Sequence, residues 1–181
     1  MPYFWARPIL CSEPICRRVL GGRIQLELPK TGRPATFKLG IAWVALCLAL
    51  ALHVADEAST GFLSVYNPTV LALRTKLSFW PMPTFEFREW LTGLIVAVLV
   101  LLALSPLVFK GVGWMRPVFY VLAAIMFLNG SGHAAGTVLG RTVSSVRFPR
   151  PMPGSYSSPL LFATSVYALL QLRRTRKHLV V

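Results

Sequence analysis

The sequence predicts an all-α integral membrane protein: a bundle of four transmembrane helices, with an interfacial helix on the outer leaflet between spans one and two. Three observations lead there. Apolar residues make up 55% of the 181-residue chain and charged residues only 14%, far below the roughly 25% usual in soluble domains. The apolar residues gather into four stretches, 39–55, 90–109, 117–139 and 156–172. Each approaches or exceeds the ~20 residues a spanning helix needs, since backbone polar groups in lipid must be satisfied within their own segment. Finally, most of the Lys and Arg residues fall on one side of such a bundle.

The net charge of +13 and an isoelectric point near 10.7 would suggest nucleic acid in a soluble chain. The distribution excludes that reading. Basic residues before span one (Arg17, Arg18 and Lys38 among them), between spans two and three (Lys110, Arg116) and after span four (Arg173, Arg174, Arg176, Lys177) share one side, which holds 13 of the 19. The other side carries Arg74, Lys76, Arg88, Arg141, Arg147 and Arg150, with Asp56, Glu57, Glu86 and Glu89, four of the six acidic residues. Lys and Arg set orientation. The basic side is therefore expected to be cytoplasmic, with both termini there. The surplus charge serves topology and some affinity for anionic lipid, and no nucleic-acid partner is expected. Cys11, Cys16 and Cys47 form no metal-ligand pattern, and an odd count beside a cytoplasmic arm argues against a disulfide framework.

Residues 1–36 read as a loosely ordered cytoplasmic arm, with a weak strand signal where Ile24, Leu26 and Leu28 alternate. Arg and Pro throughout set the arm apart from a signal peptide. The four-span membrane domain covers 37–174. Span one runs into His53-Val-Ala-Asp56-Glu57 and stays helical as far as Tyr66, Asn67-Pro68 being the first strong breaker. Residues 69–80 set Val70, Leu71, Leu73, Leu77, Phe79 and Trp80 against Arg74 and Lys76, a pattern too short to span and suited to a helix lying on the outer leaflet. Pro81 and Pro83 turn the chain into span two, with Glu86 and Glu89 at its start and Trp90 at interface depth.

Span three begins at Pro117, a favoured first-turn residue. Gly132, Gly136 and Gly140 recur every four residues, a smooth face for close packing against span one or span four. The loop 141–158, with its Pro151-Met-Pro153-Gly154 turn, is short enough to act as a lid over the outer helix ends. Span four exits into Arg173-Arg174, and residues 175–181 form a basic cytoplasmic tail.

Ionisable groups within spans are costly, about 2.5–3.5 kcal/mol at mid-helix, and mark functional sites. His53 and Glu57 are four apart and share a face of span one, with Asp56 beside it; Asn129 and His133 share a face of span three. Spans one and three run in the same direction, and both pairs sit toward the outer end. Glu86 and Glu89 start span two from that side. For Glu89 a solvated helix end is the preferred reading, and Glu86 is retained in support. Two chemistries want such a set. His53, Glu57, His133 and Glu86 are candidate ligands for a divalent metal, zinc first, that activates water for hydrolysis. Without metal, His53, Glu57, His133, Asn129 and Asp56 are candidates for general acid–base catalysis.

At these residues the sequence resembles the HXXEE-domain family of small bacterial membrane proteins. The resemblance rests on His53-Val-Ala-Asp56-Glu57, on Asn129 with His133, and on Pro153-Gly154, and covers about 39–172. Asp56 departs from the family's first Glu, keeping the charge but shortening the reach. The resemblance implies a shared four-helix architecture and no general activity. A fainter likeness, carried by His53 and Glu57 alone, is to sterol-isomerase-like membrane proteins, which would imply proton shuffling without metal.

The functional expectation is a membrane-embedded enzyme acting on a lipid-like or isoprenoid substrate, a hydrophobic small molecule drawn from membrane lipid. The alternative is a non-catalytic small transporter or accessory subunit with a structural polar network. Span two offers only Thr92 and Ser105 between 91 and 109 as polar lining, which weighs against a channel. Assembly into an oligomer is left open.

Overall fold

The structure, a computed structural model, describes residues 11–12, 15–20, 23–27, 33–77, 79 and 81–177. Much of the 1–36 arm, Trp80 and tail residues 178–181 lie outside the described residues. The chain divides into two units, Met1–Pro34 and Ala35–Val181. In the first, β1 (Cys11–Ser12), β2 (Ile15–Leu20) and β3 (Arg23–Glu27) form an antiparallel sheet in that order. β3 contains Ile24 and Leu26 of the expected strand, with Leu26 paired to Arg17.

The described residues are mostly helical, and among them three helical stretches are long and apolar enough to cross a membrane: Thr36–Thr60, Phe87–Phe109 and Met115–Leu139. The first belongs to α1 (Arg33–Thr60), whose Leu, Ala and Val run has no proline beyond its first turn. α1 is the central helix: 56% of its apolar stretch is buried, against 11% and 28% for the other two. It ends at Gly61 (φ +75°), where the Phe62 amide donates to the Glu57 carbonyl (3.0 Å) in a Schellman-type closure. The break therefore falls five residues before the expected end at Tyr66. α2 (Leu63–Lys76) then carries Pro68 inside it. Pro68 has no N–H for the Ser64 carbonyl, and the preceding Asn67 is held from outside the helix: its side-chain amide exchanges hydrogen bonds with the backbone of Phe85 (2.9 and 3.1 Å). Tyr66 and Arg74 donate to the carbonyls of Pro83 and Met82, so α2 is strapped to the segment that leads into the next helix.

α3 (Phe87–Ala103) and α4 (Ser105–Phe109) form one apolar run interrupted at Leu104. Pro106 has no N–H for the Leu102 carbonyl, which accounts for the interruption. Trp43 Nε1 donates to the Leu101 carbonyl (3.0 Å) and ties α1 to this point. α5 (Met115–Leu139) and α6 (Ser158–Lys177) are joined by the two-stranded β4 (Arg141–Val143) and β5 (Val146–Arg147) and a turn-rich loop. α6 is 20 residues long, but its last turn goes to Arg173, Arg174, Arg176 and Lys177, so its apolar stretch is short.

Leu39, Trp43, Leu46 and Leu50 recur at helical spacing on α1 and meet Phe119, Ala123 and Met126 of α5 and Leu161, Ala168 and Leu172 of α6. Trp43 and Phe119 lie edge to face at 5.1 Å. The outer faces are also apolar: Val96, Leu99 and Val100 on α3 and Val121, Leu128 and Val138 on α5 are each more than half exposed. Such extensive apolar exteriors call for lipid rather than water.

The glycine face of α5 differs from expectation. A Cβ on Gly132 would meet nothing within 4 Å, whereas one on Gly130 would lie 3.3 Å from the Phe162 amide nitrogen and the Ser158 carbonyl oxygen of α6. Gly132 is about 200° around the helix from Gly130, on the opposite side. Gly136 packs under Met152, and Gly140 ends the helix. The close contact of α5 with α6 therefore runs through Gly130, not through Gly132.

Gly130→Val is expected to push α6 away from α5 and to destabilise the fold by about 1–3 kcal/mol, the usual cost of overpacking. Gly132→Val should be near neutral. Thermal unfolding of the two purified variants in detergent, side by side, checks the assignment of the contact face.

Candidate functional site

The Schellman closure at Gly61 fixes the last two turns of α1, and these carry His53 and Glu57 on one face. Facing them, α5 presents Asn129 and His133. The four residues converge. Glu57 Oε1 lies 3.0 Å from His133 Nε2 and 3.3 Å from His53 Nε2, and His53 Nε2 is 3.1 Å from Asn129 Oδ1. The imidazoles stand edge to face, centroids 4.7 Å apart. His53, Glu57 and His133 are buried, at 0%, 4% and 3% exposure, so the carboxylate has only protein groups to satisfy it.

Two elements close the site. Phe62, in the turn after α1, lies over the His133 ring at 5.4 Å. From the other side comes the loop before α6. Gly154 has φ +82°, and a Cβ there would lie 2.7 Å from both Glu57 Cγ and His133 Cε1. Its amide donates to Thr60 Oγ1 (2.9 Å), which anchors the turn to the end of α1. Only glycine combines that backbone with that proximity.

The loop also orients His53. The amide and the hydroxyl of Ser157 both donate to Asp56 Oδ2, each at 2.8 Å. A serine hydroxyl has one proton, so with it given to the carboxylate, Ser157 Oγ accepts from His53 Nδ1–H at 2.9 Å. The chain Asp56–Ser157–His53 thus sets the tautomer. In the neutral ring the proton is on Nδ1, and the bare Nε2 faces Glu57 and Asn129. Three arrangements satisfy these atoms: a further proton on Nε2 shared with the oxygens, the Asn129 amide turned so that its NH2 donates to Nε2, or a cation held among them.

His53, Glu57 and His133 form a group that can hold a metal ion, one ligand atom from each lying within 4.8 Å of the others. Donors about 2.0–2.2 Å from a tetrahedral zinc stand roughly 3.3 Å from one another, close to the 3.0 and 3.3 Å separations of Glu57 from the two imidazoles. His133 Nδ1 is buried without a hydrogen-bond partner among the described residues.

Of the residues expected from sequence, His53, Glu57, Asn129 and His133 come together as one cluster. Asp56 adjoins it and acts through Ser157. Glu86 lies outside the metal-holding group: it is exposed, with extended backbone at the residue before α3, and Glu89 is exposed one turn further on. Ser157 escaped the sequence reading. It immediately precedes α6, where a serine is ordinarily taken as a helix cap, and that local role conceals a partner 104 residues away.

Gly154→Ala is expected to cost about 1–3 kcal/mol, since it combines an unfavourable φ with a buried clash. The same substitution should shift the His133 ring resonances in a proton–carbon NMR spectrum. Gly113→Ala, where a Cβ meets nothing within 4 Å, should change neither.

No family model, no curated protein and no solved structure matches this chain.

Proposed function

We propose that the chain is a membrane-embedded metalloenzyme acting on a lipid-like or isoprenoid substrate, with a divalent ion, zinc first, held by His53, Glu57 and His133. Four helices, α1, α3/α4, α5 and α6, cross the bilayer in this reading, with both termini on the basic cytoplasmic side. α2 lies along the outer leaflet, and the cluster sits at the outer end of the bundle.

One observation carries the reading: a buried carboxylate oxygen lies between two imidazole nitrogens from different helices, and the other nitrogen of His53 is held by Ser157 and Asp56. Buried carboxylates are retained where something repays their desolvation, and a metal would do so for all three groups at once. When bound, a divalent ion supplies Lewis-acid activation of water or of a substrate oxygen. The chain's own residues do the rest. Ser157 and Asp56 orient His53, the Asn129 amide offers a polar contact beside the ligands, and Phe62 and Gly154 exclude bulk water.

The surroundings favour a substrate that arrives from the side. A depression of about 530 Å³, lined by Leu52, Ala55, Asp56, Ser59, Tyr156 and Ser157, reaches the Asp56–Ser157 pair from the exterior. Toward the other end of α1 the core is closed by Trp43, Leu46 and Phe119, which disfavours a transport path. The residues that carry the resemblance to the HXXEE-domain family, His53, Glu57, Asn129, His133 and Gly154, are the ones that meet here, so an architecture shared with that family is part of the proposal. A second reading, a structural network in a non-catalytic subunit or an acid–base pair without metal, draws on the near-complete hydrogen bonding of the cluster without any ion.

Metal analysis by mass spectrometry on detergent-purified protein separates these. Wild type should carry close to one divalent ion per chain, and His53→Ala and His133→Ala none. Ser157→Ala should bind about 10–100-fold more weakly, the usual cost of losing the group that orients a ligand. Folded wild-type protein that takes up no metal after reconstitution would sink the metalloenzyme reading and leave the second one.

A further inference from the structure

Arg141, Arg147 and Arg150 surround a depression of about 390 Å³ at the end of α5, together with Leu139, Gly140 and Phe148. All three arginines are exposed, and among the described residues none is paired with a carboxylate. The sequence offers little to pair them with, since it has no Asp or Glu after Glu89. Of the four carboxylates on this side, Asp56 and Glu57 are engaged by His53, His133 and Ser157, and Glu86 and Glu89 stand at the start of α3 with no ion pair to these arginines among the described residues.

The arginines are also held against one another. Arg141 and Arg147 are cross-strand partners beside an irregularity in the β4–β5 pair, and like charges across strands destabilise such a pair. Arg150 places its guanidinium over Gly140, with Nε 2.9 Å from where a Cβ would stand. One cation beside the carbonyl end of a helix is favourable, which accounts for Arg150. It does not account for two more guanidinium groups converging on the same depression.

We propose that Arg141, Arg147 and Arg150 form a cradle for the phosphate headgroup of an anionic membrane lipid. Three planar forks suit the several oxygens of a phosphate better than any single carboxylate would. The adjoining surface favours a lipid over free phosphate. An apolar groove of about 620 Å³ between α5 and the start of α6 is lined by Gly130, Ala134, Thr137, Pro159 and Phe162. Thr137, which lines this groove, and Leu139, which lines the arginine depression, are two residues apart near the end of α5. An acyl chain can lie there while its phosphate sits among the arginines. The cradle is separate from the cluster on α1 and α5: none of His53, Glu57, Asn129 and His133 lines the arginine depression. It stands whether or not that cluster takes a metal.

The test uses the full chain in detergent, with retained lipid counted by native mass spectrometry. The lipids are phosphatidic acid and phosphatidylcholine of the same acyl chains, with inorganic phosphate as a third arm. Wild type should retain one phosphatidic acid in preference to phosphatidylcholine. Arg141→Gln/Arg147→Gln should bind it about tenfold or more weakly, as expected for losing charge-assisted hydrogen bonds. Arg173→Gln/Arg174→Gln, the same change of charge at the other end of the bundle, should bind as wild type does. Lipid-free, Arg147→Gln should melt no lower than wild type, because it relieves the cross-strand repulsion; a purely structural role for the arginine would lower it. If the double variant does not fold, Arg147→Lys keeps the charge, loses the fork and should still weaken retention several-fold. Equal retention of phosphatidylcholine, equal loss in Arg173→Gln/Arg174→Gln, or unchanged binding in the Arg141 and Arg147 variants overturns the proposal. Inorganic phosphate binding as tightly as the lipid overturns its lipid part.

Discussion

Glu57 carries a carboxylate into the buried interior, and its neighbours are arranged around that fact. One of its oxygens lies between two imidazoles, His133 at 3.0 Å and His53 at 3.3 Å. Each imidazole depends in turn on something else. His53 is held by Ser157, and Ser157 by Asp56; His133 is overlaid by Phe62 and abutted by Gly154. The end of α1, the middle of α5 and the loop before α6 are thereby drawn to one point. A buried polar network must be satisfied throughout to be tolerated, so these three elements have little freedom to move apart.

The membrane imposes the complementary constraint. With lipid outside, apolar burial does not distinguish core from exterior, and helices associate through close packing and polar contacts instead. Both are visible here. α5 and α6 approach closely where Gly130 faces Phe162, and α1 is tied to the α3–α4 junction by the Trp43 indole. α3 shows the other side of the same rule. Little of its apolar stretch is buried, since a helix can be stable in lipid with most of its surface facing acyl chains.

The two polar features at this end of the bundle differ in electrostatic logic. The His/Glu cluster is buried, and among the described residues His133 Nδ1 is a buried nitrogen without a partner. The arginine cradle is exposed, with no ion pair to a carboxylate among the described residues. The first is adapted to a small cation or a proton, the second to an anion; the first draws on α5 itself and the second on the strands and loop that follow it. Residues 148–157 lie between them in sequence, with Arg150 at one end and Gly154 and Ser157 at the other. That loop, which a linear reading treats as a lid, supplies parts to both.

The helices that can span a membrane were legible from composition, because length and apolarity are local properties and lipid demands both. So was the pairing of His53 with Glu57 and of Asn129 with His133, since a spacing of four places side chains on one helix face whatever else the chain does. The convergence of the two pairs followed from the parallel directions of spans one and three. What periodicity could not decide was rotation about each helix axis and the path of the connections. Gly130 rather than Gly132 faces α6 because the whole helix is turned to bring His133 inward. Glu86 stays outside the cluster because it precedes the first turn of its helix, in extended backbone. Ser157 and Gly154 reach His53 and His133 through a loop whose course depends on contacts about a hundred residues distant in sequence. Only the assembled tertiary structure determines those contacts.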